Sequence, residues 1–557
     1  MSRKNSFIAA GTYGCVYRPS LPCDGKQESN SNNQNKVSKV FAKGQDMNDN
    51  RSDFEDEIGR NQKANNINAE GAFTLTHVNA CQIPSNTLTN AEKESCANSD
   101  KISYNNTKRN LTNTRVPQIV YKDGGLPVIE LSNNNIPLSQ FLINFQNVMQ
   151  GLVKLNHHRH AHTDIKPRNM LYNPAEQRST LIDFGFLDHE SWLYQDAFRN
   201  PGVLMHPYSY YPPEFKVMFL FTVPELLKSS FALYIDKMYK SSLDNISSEA
   251  IDLFFLTTPT LMHTFTRYSK TSNARNAMME RFIQSISPSS LRQKYQRVLE
   301  RFHFTTRVQH IDLFREKLKS QLQFQDFSFS ANKLKQIQNL FVNQRFGAKI
   351  DLYSVGVSLL EVLSSYLIPL MSGQSSRSST GRAFDTPMYE NIVALLYILS
   401  GMVHPDPFTR LSAKEASDLY DIFVDALQSS DASRRTDKLQ LIQNRVEERI
   451  PLSAEHHQTN AQNTRRNKNS TSRSPKSFSF RPNPPAKSSS PMSVSPLPPA
   501  KSPSPMSTSP IPHKSSSPMS TSPIPHKSPS PMSVSPLPPQ SGKAKKQNKP
   551  KAKKLYK

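Results

Sequence analysis

The chain is short of cysteine, of acid toward its C-terminus and of unbroken apolar runs, and each shortage excludes a class of protein. Its four cysteines, Cys15, Cys23, Cys81 and Cys96, form neither CxxC pairs nor a dense framework, so they read as reduced thiols of an intracellular protein, not as a zinc site. The opening Met1-Ser2-Arg3-Lys4 runs straight into a glycine-bearing segment and leaves no room for the apolar region of a signal peptide. The most apolar stretches, Val217 to Leu227 and Val355 to Met371, are interrupted by Pro, Glu or Ser and fall short of a membrane span, so a soluble protein is expected.

Positive charge, by contrast, is abundant. Among 557 residues, 69 Lys and Arg outnumber 45 Asp and Glu, for a formal net charge of +24. The excess is clustered: residues 451 to 557 hold about 18 Lys and Arg against one acid, Glu455. Such a block points to nucleic acid or an anionic surface as partner. From residue 453 onward Ser, Pro, Lys and Asn dominate, and a unit of the form K-S-x-S-P-M-S-x-S-P-x-P restarts at Lys487, Lys501, Lys514 and Lys527. No packed core can offset the entropy of ordering this composition, so 453–557 is expected to be a disordered basic tail. Its Ser-Pro sites include Ser490, Ser495, Ser502, Ser504, Ser509 and Ser535. Each phosphate added there brings roughly −1.5 to −2 charges, enough in number to cancel the excess and switch binding off. A plain solvated spacer is the competing reading.

Upstream, residues 1–131 read as a small, loop-rich lobe with strands in Phe7 to Tyr17 and Lys36 to Phe41 and a helix over Phe54 to Asn65. From Pro137 the pattern turns helical: Leu138 to Phe145, then Gln146 to Arg159 with Val148, Met149, Leu152, Val153 and Leu155 on one face. Short strands near Asn169 to Tyr172 and Thr180 to Ile182 follow. A long, basic, mostly helical stretch covers 215–346, and strong helices cover Lys349 to Tyr366 and Asn391 to Met402. A second lobe over 132–425 and a terminal helix or linker over 426–452 complete the division.

The densest chemistry is His162-Thr163-Asp164-Ile165-Lys166-Pro167-Arg168-Asn169, followed fourteen residues after Asn169 by Asp183-Phe184-Gly185. Phosphoryl transfer asks little covalent work of a protein: one carboxylate to orient the attacking hydroxyl, and oxygen ligands to hold magnesium against the phosphates. Asp164 suits the first task. Asn169 and Asp183 suit the second, since Mg²⁺ takes hard oxygen ligands. Lys166 would neutralise charge on the moving group.

With these motifs the chain resembles the eukaryotic-type protein kinases. Ile8-Ala9-Ala10-Gly11-Thr12-Tyr13-Gly14-Cys15-Val16 is similar to their glycine-rich loop, with Ala9 where the first glycine stands. Val37-Ser38-Lys39 resembles the strand lysine that meets the nucleotide phosphates, and Glu57 its helix partner, with Glu55 as runner-up. Tyr210-Tyr211-Pro212-Pro213-Glu214, Asp351 to Gly356 and Asp406-Pro407-Phe408-Thr409-Arg410 continue the likeness, Arg410 being expected to pair with Glu214. The resemblance covers about residues 1 to 425. It implies an α+β, bilobal protein-kinase-like fold with a small β-rich lobe, a larger helical lobe carrying a helical insertion over 215–346, and a serine/threonine kinase using ATP and Mg²⁺. Lys166 two residues after Asp164 is the serine/threonine arrangement.

Three departures accompany the match. Thr163 stands where an arginine is usual, so activity is expected to need no phosphorylation of the following loop. The residues before Tyr210 lack the usual threonine. About 137 residues separate Glu214 from Asp351. The short first lobe and the inserted second are similar to kinases of large nucleocytoplasmic DNA viruses of the iridovirus kind, which implies work in an infected cell or virion. Phosphorylation of protein substrates and of the chain's own tail is expected. The alternatives are a small-molecule kinase and a pseudokinase or virion DNA-binding scaffold acting through the basic tail. His157, His158, His160 and His162 read as a surface helix end, not as a metal site.

Overall fold

A five-stranded antiparallel sheet forms first, in the order β1-β2-β3-β5-β4. Its strands are β1 (Ser6–Ala10), β2 (Gly14–Arg18), β3 (Lys36–Phe41), β4 (His77–Pro84) and β5 (Arg115–Lys122). The computed structural model describes residues 6–23, 35–68, 72–99, 104–190, 210–212, 284–301, 317–323, 331–371 and 386–451, with breaks of one or two residues inside some ranges. Thr12, the stretch between Cys23 and Asn35, the Pro213-Glu214 dipeptide, most of 215–346 and the repeat-bearing tail lie outside the described residues.

Three helices decorate the sheet: α1 (Met47–Ile67), α2 (Asn90–Asn98) and α3 (Tyr104–Thr112). On α1, Glu57, Asn61 and Ala64, with Asn68 just past the helix end, recur every three or four residues and are all buried. The inward stripe of that helix is therefore mostly polar, and its partners are specific: Asn61 Nδ2 donates to Tyr121 Oη at 2.9 Å and Asn68 Nδ2 to Thr74 Oγ1 at 3.0 Å. Helix α2 starts with a capping box, Thr89 Oγ1 accepting from Glu92 N while Glu92 accepts from Thr89 N.

The cysteines overturn the expectation of reduced thiols. Cys15 on β2 is bonded to Cys96 on α2, and Cys23 to Cys81 on β4. Among the described residues no free cysteine remains. Residues 81 and 58 apart in sequence carry no spacing motif, so only the approach of sheet and helix pairs them. The argument from thiols to a reducing compartment falls with them.

Beyond the sheet the chain is helical, broken by short strands. β6 (Leu126–Pro127), β8 (Met170–Asn173) and β9 (Arg178–Leu181) form one small sheet, and β7 (His160–Ala161) pairs with β10 (Asp188–His189). The helices are α4 (Leu138–Asn144), α5 (Gln146–His157), α6 (Ser289–Glu300), α7 (Ala331–Asn343), α8 (Ala348–Met371), α9 (Thr386–Met402), α10 (Ala413–Gln428) and α11 (Ala432–Arg449). The fold is thus mixed α+β, a β-sheet region followed by a helical region, in agreement with two lobes. Ala348–Leu367 is long and apolar enough to cross a membrane, contrary to the expectation from its interruptions, yet 83% of that window is buried inside the protein. Its serines reach back to the preceding turn, as Ser358 Oγ does to Ser354 O at 2.7 Å, so their hydroxyls are satisfied within the helix.

Leu291, Tyr295 and Val298 of α6, a helix within 215–346, are buried in the same core as α8 and α9. Each fully buried apolar side chain contributes about 1.5–3 kcal/mol. This part of 215–346 is therefore core packing of the helical region.

Candidate active site

Lys39 projects from the middle of β3 toward α1. Its Nζ lies 2.8 and 2.6 Å from Glu57 Oε1 and Oε2, and 3.4 Å from Asp183 Oδ1. Glu57, not Glu55, is the partner, because Glu57 shares the buried stripe of α1 while Glu55 is exposed. Tyr121 on β5 donates its hydroxyl to Glu57 Oε1 at 2.9 Å and completes the cluster. Burial alone would lower the Lys39 pKa, but the Asp183 and Glu57 carboxylates outweigh it and hold the ammonium well above its ordinary value. Burial likewise pushes the Asp183 carboxyl up, and the charges of Lys39 and Lys166 more than reverse that, leaving it below the usual range.

Asp164 sits in a second network. Lys166 Nζ lies 3.0 and 2.8 Å from its two oxygens, and Asn169 Nδ2 donates to Asp164 O at 2.8 Å and to Oδ2 at 2.9 Å. The loop is held from below by α8: Asp351 accepts the backbone N–H of His162 at 2.6 Å and of Thr163 at 2.8 Å. Burial pushes the Asp351 carboxyl up, opposed by His162 and by those two N–H groups. Thr163 adopts φ 62° and Asp183 φ 63°, a region that L-residues avoid and that persists where the surroundings over-determine the backbone.

His162 corrects the expectation of a surface helix end. It is fully buried, its ring 4.7 Å from that of Phe184. Its Nδ1 accepts Asp164 N–H at 3.3 Å, which places the ring hydrogen on Nε2, where it is donated to Ile182 O at 3.0 Å. The ring thereby couples the loop of Asp164 to the turn of Asp183. His157 and His158 are exposed as expected.

The β1–β2 turn closes with Gly11 N–H donating to Gly14 O at 2.9 Å. Gly14 is dictated by space: a Cβ there would stand 1.9 Å from Val40 O. Ile8, Ala9 and Gly11 are exposed along the turn, and Val16 is half-buried on β2. Tyr13 turns inward; its hydroxyl pKa is pushed up to about 12 by burial, with Asp53 and Asp183 adding to the rise.

Lys39, Glu57 and Asp183 thus converge, as do Asp164, Lys166 and Asn169, and Lys166 is near enough to Asp183 to act on its charge. Among the described residues no group of three His, Cys, Asp or Glu could hold a metal alone. Asn169 and Asp183 offer two hard oxygens, and their chain segments meet where Ile182 N–H donates to Asn169 O at 3.0 Å. That donor set fits Mg²⁺ when phosphate oxygens supply the remaining ligands. Arg410 is fully buried, donating from Nε to His404 O at 2.7 Å with its guanidinium 5.0 Å above the Tyr353 ring; its expected partner Glu214 lies outside the described residues. Sequence reasoning missed Tyr121 and the carboxylate of Asp351 as site residues, and no local signal marked Tyr121.

No protein-family model matches the chain, and no curated protein matches it.

Proposed function

We propose that the chain is a serine/threonine protein kinase that transfers the γ-phosphoryl group of Mg-ATP to protein hydroxyls. The observation that carries this reading is the meeting of Lys39 with both Glu57 and Asp183, 18 and 144 residues away in sequence. In this reading Lys39 binds the α- and β-phosphates while Glu57 fixes its direction. The turn from Ile8 to Val16 covers the phosphates with backbone amides. Asn169 and Asp183 hold magnesium, which supplies positive charge against the phosphate oxygens. Asp164 orients the substrate hydroxyl and takes its proton as the new O–P bond forms and the β–γ bridging P–O bond breaks; Lys166 stabilises charge on the group in transit.

The bilobal protein-kinase-like fold belongs to the same proposal, as do basic or tail-derived serines as substrates and work in an infected cell or virion. The test is γ-phosphate transfer from Mg-ATP to basic proteins and to the chain's own tail. Wild type is expected to label both, with Asp164→Asn reduced by about a hundredfold or more and Lys39→Met inactive. Equal labelling by wild type and Asp164→Asn would defeat the assignment and favour the scaffold reading.

A further inference from the structure

Glu190 is 2% exposed and follows β10 directly. Two arginines close on it from different parts of the chain. Arg159 Nε lies 3.0 Å and Arg345 Nε 2.9 Å from Oε1, and Arg345 Nη2 lies 3.2 Å from Oε2. Arg345 Nη2 also donates to Asn156 O near the end of α5, and Glu190 N–H donates to Arg159 O at 2.8 Å. Both arginines hold a left-handed backbone, Arg159 at φ 58° and Arg345 at φ 52°. Two non-glycine residues in that region around one carboxylate indicate a geometry imposed by the surroundings.

The location gives the socket its meaning. β10 pairs with β7, Asp188 opposite Ala161 and His189 opposite His160, and β7 leads within three residues to Asp164. Arg345 stands just before α8, whose Asp351 receives the N–H groups of His162 and Thr163. The strand after the Asp183 turn, the loop carrying Asp164 and the approach to α8 therefore meet at Glu190. A buried carboxylate survives only when matched, and here the match is forked and comes from two chain segments.

We propose that Glu190 is a positioning residue for Asp164: a permanent carboxylate in a two-arginine socket that fixes the strand after Asp183 against the catalytic loop. A carboxylate held by two arginines can order a chain segment by the same charge-assisted hydrogen bonds that an added phosphate would make. The proposal rests on the kinase reading for its catalytic consequence, but the hold on the loop does not. The competing account is an ion pair that only stabilises the fold.

The full chain serves for the test, with hydrogen exchange and transfer kinetics read together. Glu190→Gln is expected to raise amide exchange at 159–164 and to lower kcat roughly ten- to hundredfold. KM for ATP should stay within about twofold, because Lys39 and Glu57 belong to the sheet region and touch neither arginine, and Glu190→Asp should recover most of kcat. Phosphatase treatment should leave wild-type kcat unchanged. Should Glu190→Gln not accumulate folded, Arg345→Lys, which keeps the charge but loses the fork, is read the same way. Wild-type kcat in Glu190→Gln, or kcat and KM changing together, overturns the proposal. If wild type transfers no phosphate, the kinase reading falls and exchange alone decides: a rise at 159–164 upholds the socket, and no change removes it.

Discussion

Lys39 Nζ is bonded to both carboxylate oxygens of Glu57, with the two side chains only 14% and 4% exposed. Removing one partner leaves the other charge buried. Lys39→Met is therefore expected to destabilise the protein by about 3–5 kcal/mol, whereas Lys39→Met combined with Glu57→Leu recovers most of that loss without restoring phosphate transfer. Thermal melts of the three variants check this, and a single Lys39→Met melting like wild type would remove the buried pair as a stabilising contact.

The β1–β2 turn separates two glycines by consequence. Gly14→Ala drives a Cβ into the Val40 carbonyl, while a Cβ at Gly11 meets nothing within 4 Å. Gly14→Ala should lower stability by about 1–3 kcal/mol and weaken nucleotide binding. Gly11→Ala should change stability by less than about 1 kcal/mol. Calorimetric melts with and without ATP distinguish the two.

Reduction should loosen the sheet region first. Cys15–Cys96 and Cys23–Cys81 tie β2 to α2 and Cys23 to β4, and a disulfide closing a long loop contributes about 2–4 kcal/mol. Dithiothreitol is expected to lower the melting temperature and to retard the chain on a denaturing gel. Identical mobility and melting with and without reductant would contradict the pairing.

Asp351 accepts two backbone N–H groups that an asparagine can only half satisfy. Asp351→Asn leaves one buried donor unpaired and should cost about 1–3 kcal/mol. Activity should fall with it, since the same N–H groups set the loop of Asp164. Urea denaturation of the purified variant measures the first effect and transfer kinetics the second.

The basic tail makes a prediction from charge alone. The full chain, but not one ending at 452, is expected to bind duplex DNA, losing on the order of 10³ in affinity between 50 and 200 mM salt if about six phosphates are neutralised. Phosphorylation at the Ser-Pro sites should abolish binding. Fluorescence anisotropy across salt would count against the idea if affinity stayed flat.

Local sequence made several features legible. Residues 162–169 and 183–185 could be read as a site because their chemistry is written in short, fixed spacings, and β3 was expected over the residues it occupies. Four elements of the first lobe escaped: β4, α2, α3 and β5. The Asn- and Ser-rich composition of α2 and α3 weakens any apolar period, and what holds them is a disulfide, a capping box and side-chain bonds such as Asn110 Nδ2 to Ala42 O at 3.1 Å. The polar start of α1 shortened the expected helix in the same way, since Asn50 carries no hydrophobic signal yet is buried.

Sequence alone determined which groups are available for chemistry, because Asp164, Lys166, Asn169 and Asp183 lie within twenty residues and their order is a covalent fact. Tertiary structure alone decided the partners of Lys39, the pairing of the four cysteines, the burial of His162 and the two-arginine socket of Glu190. Those contacts join residues from 18 to 189 positions apart, and they exist only because sheet twist, helix rotation and core packing bring distant backbones within a few ångströms.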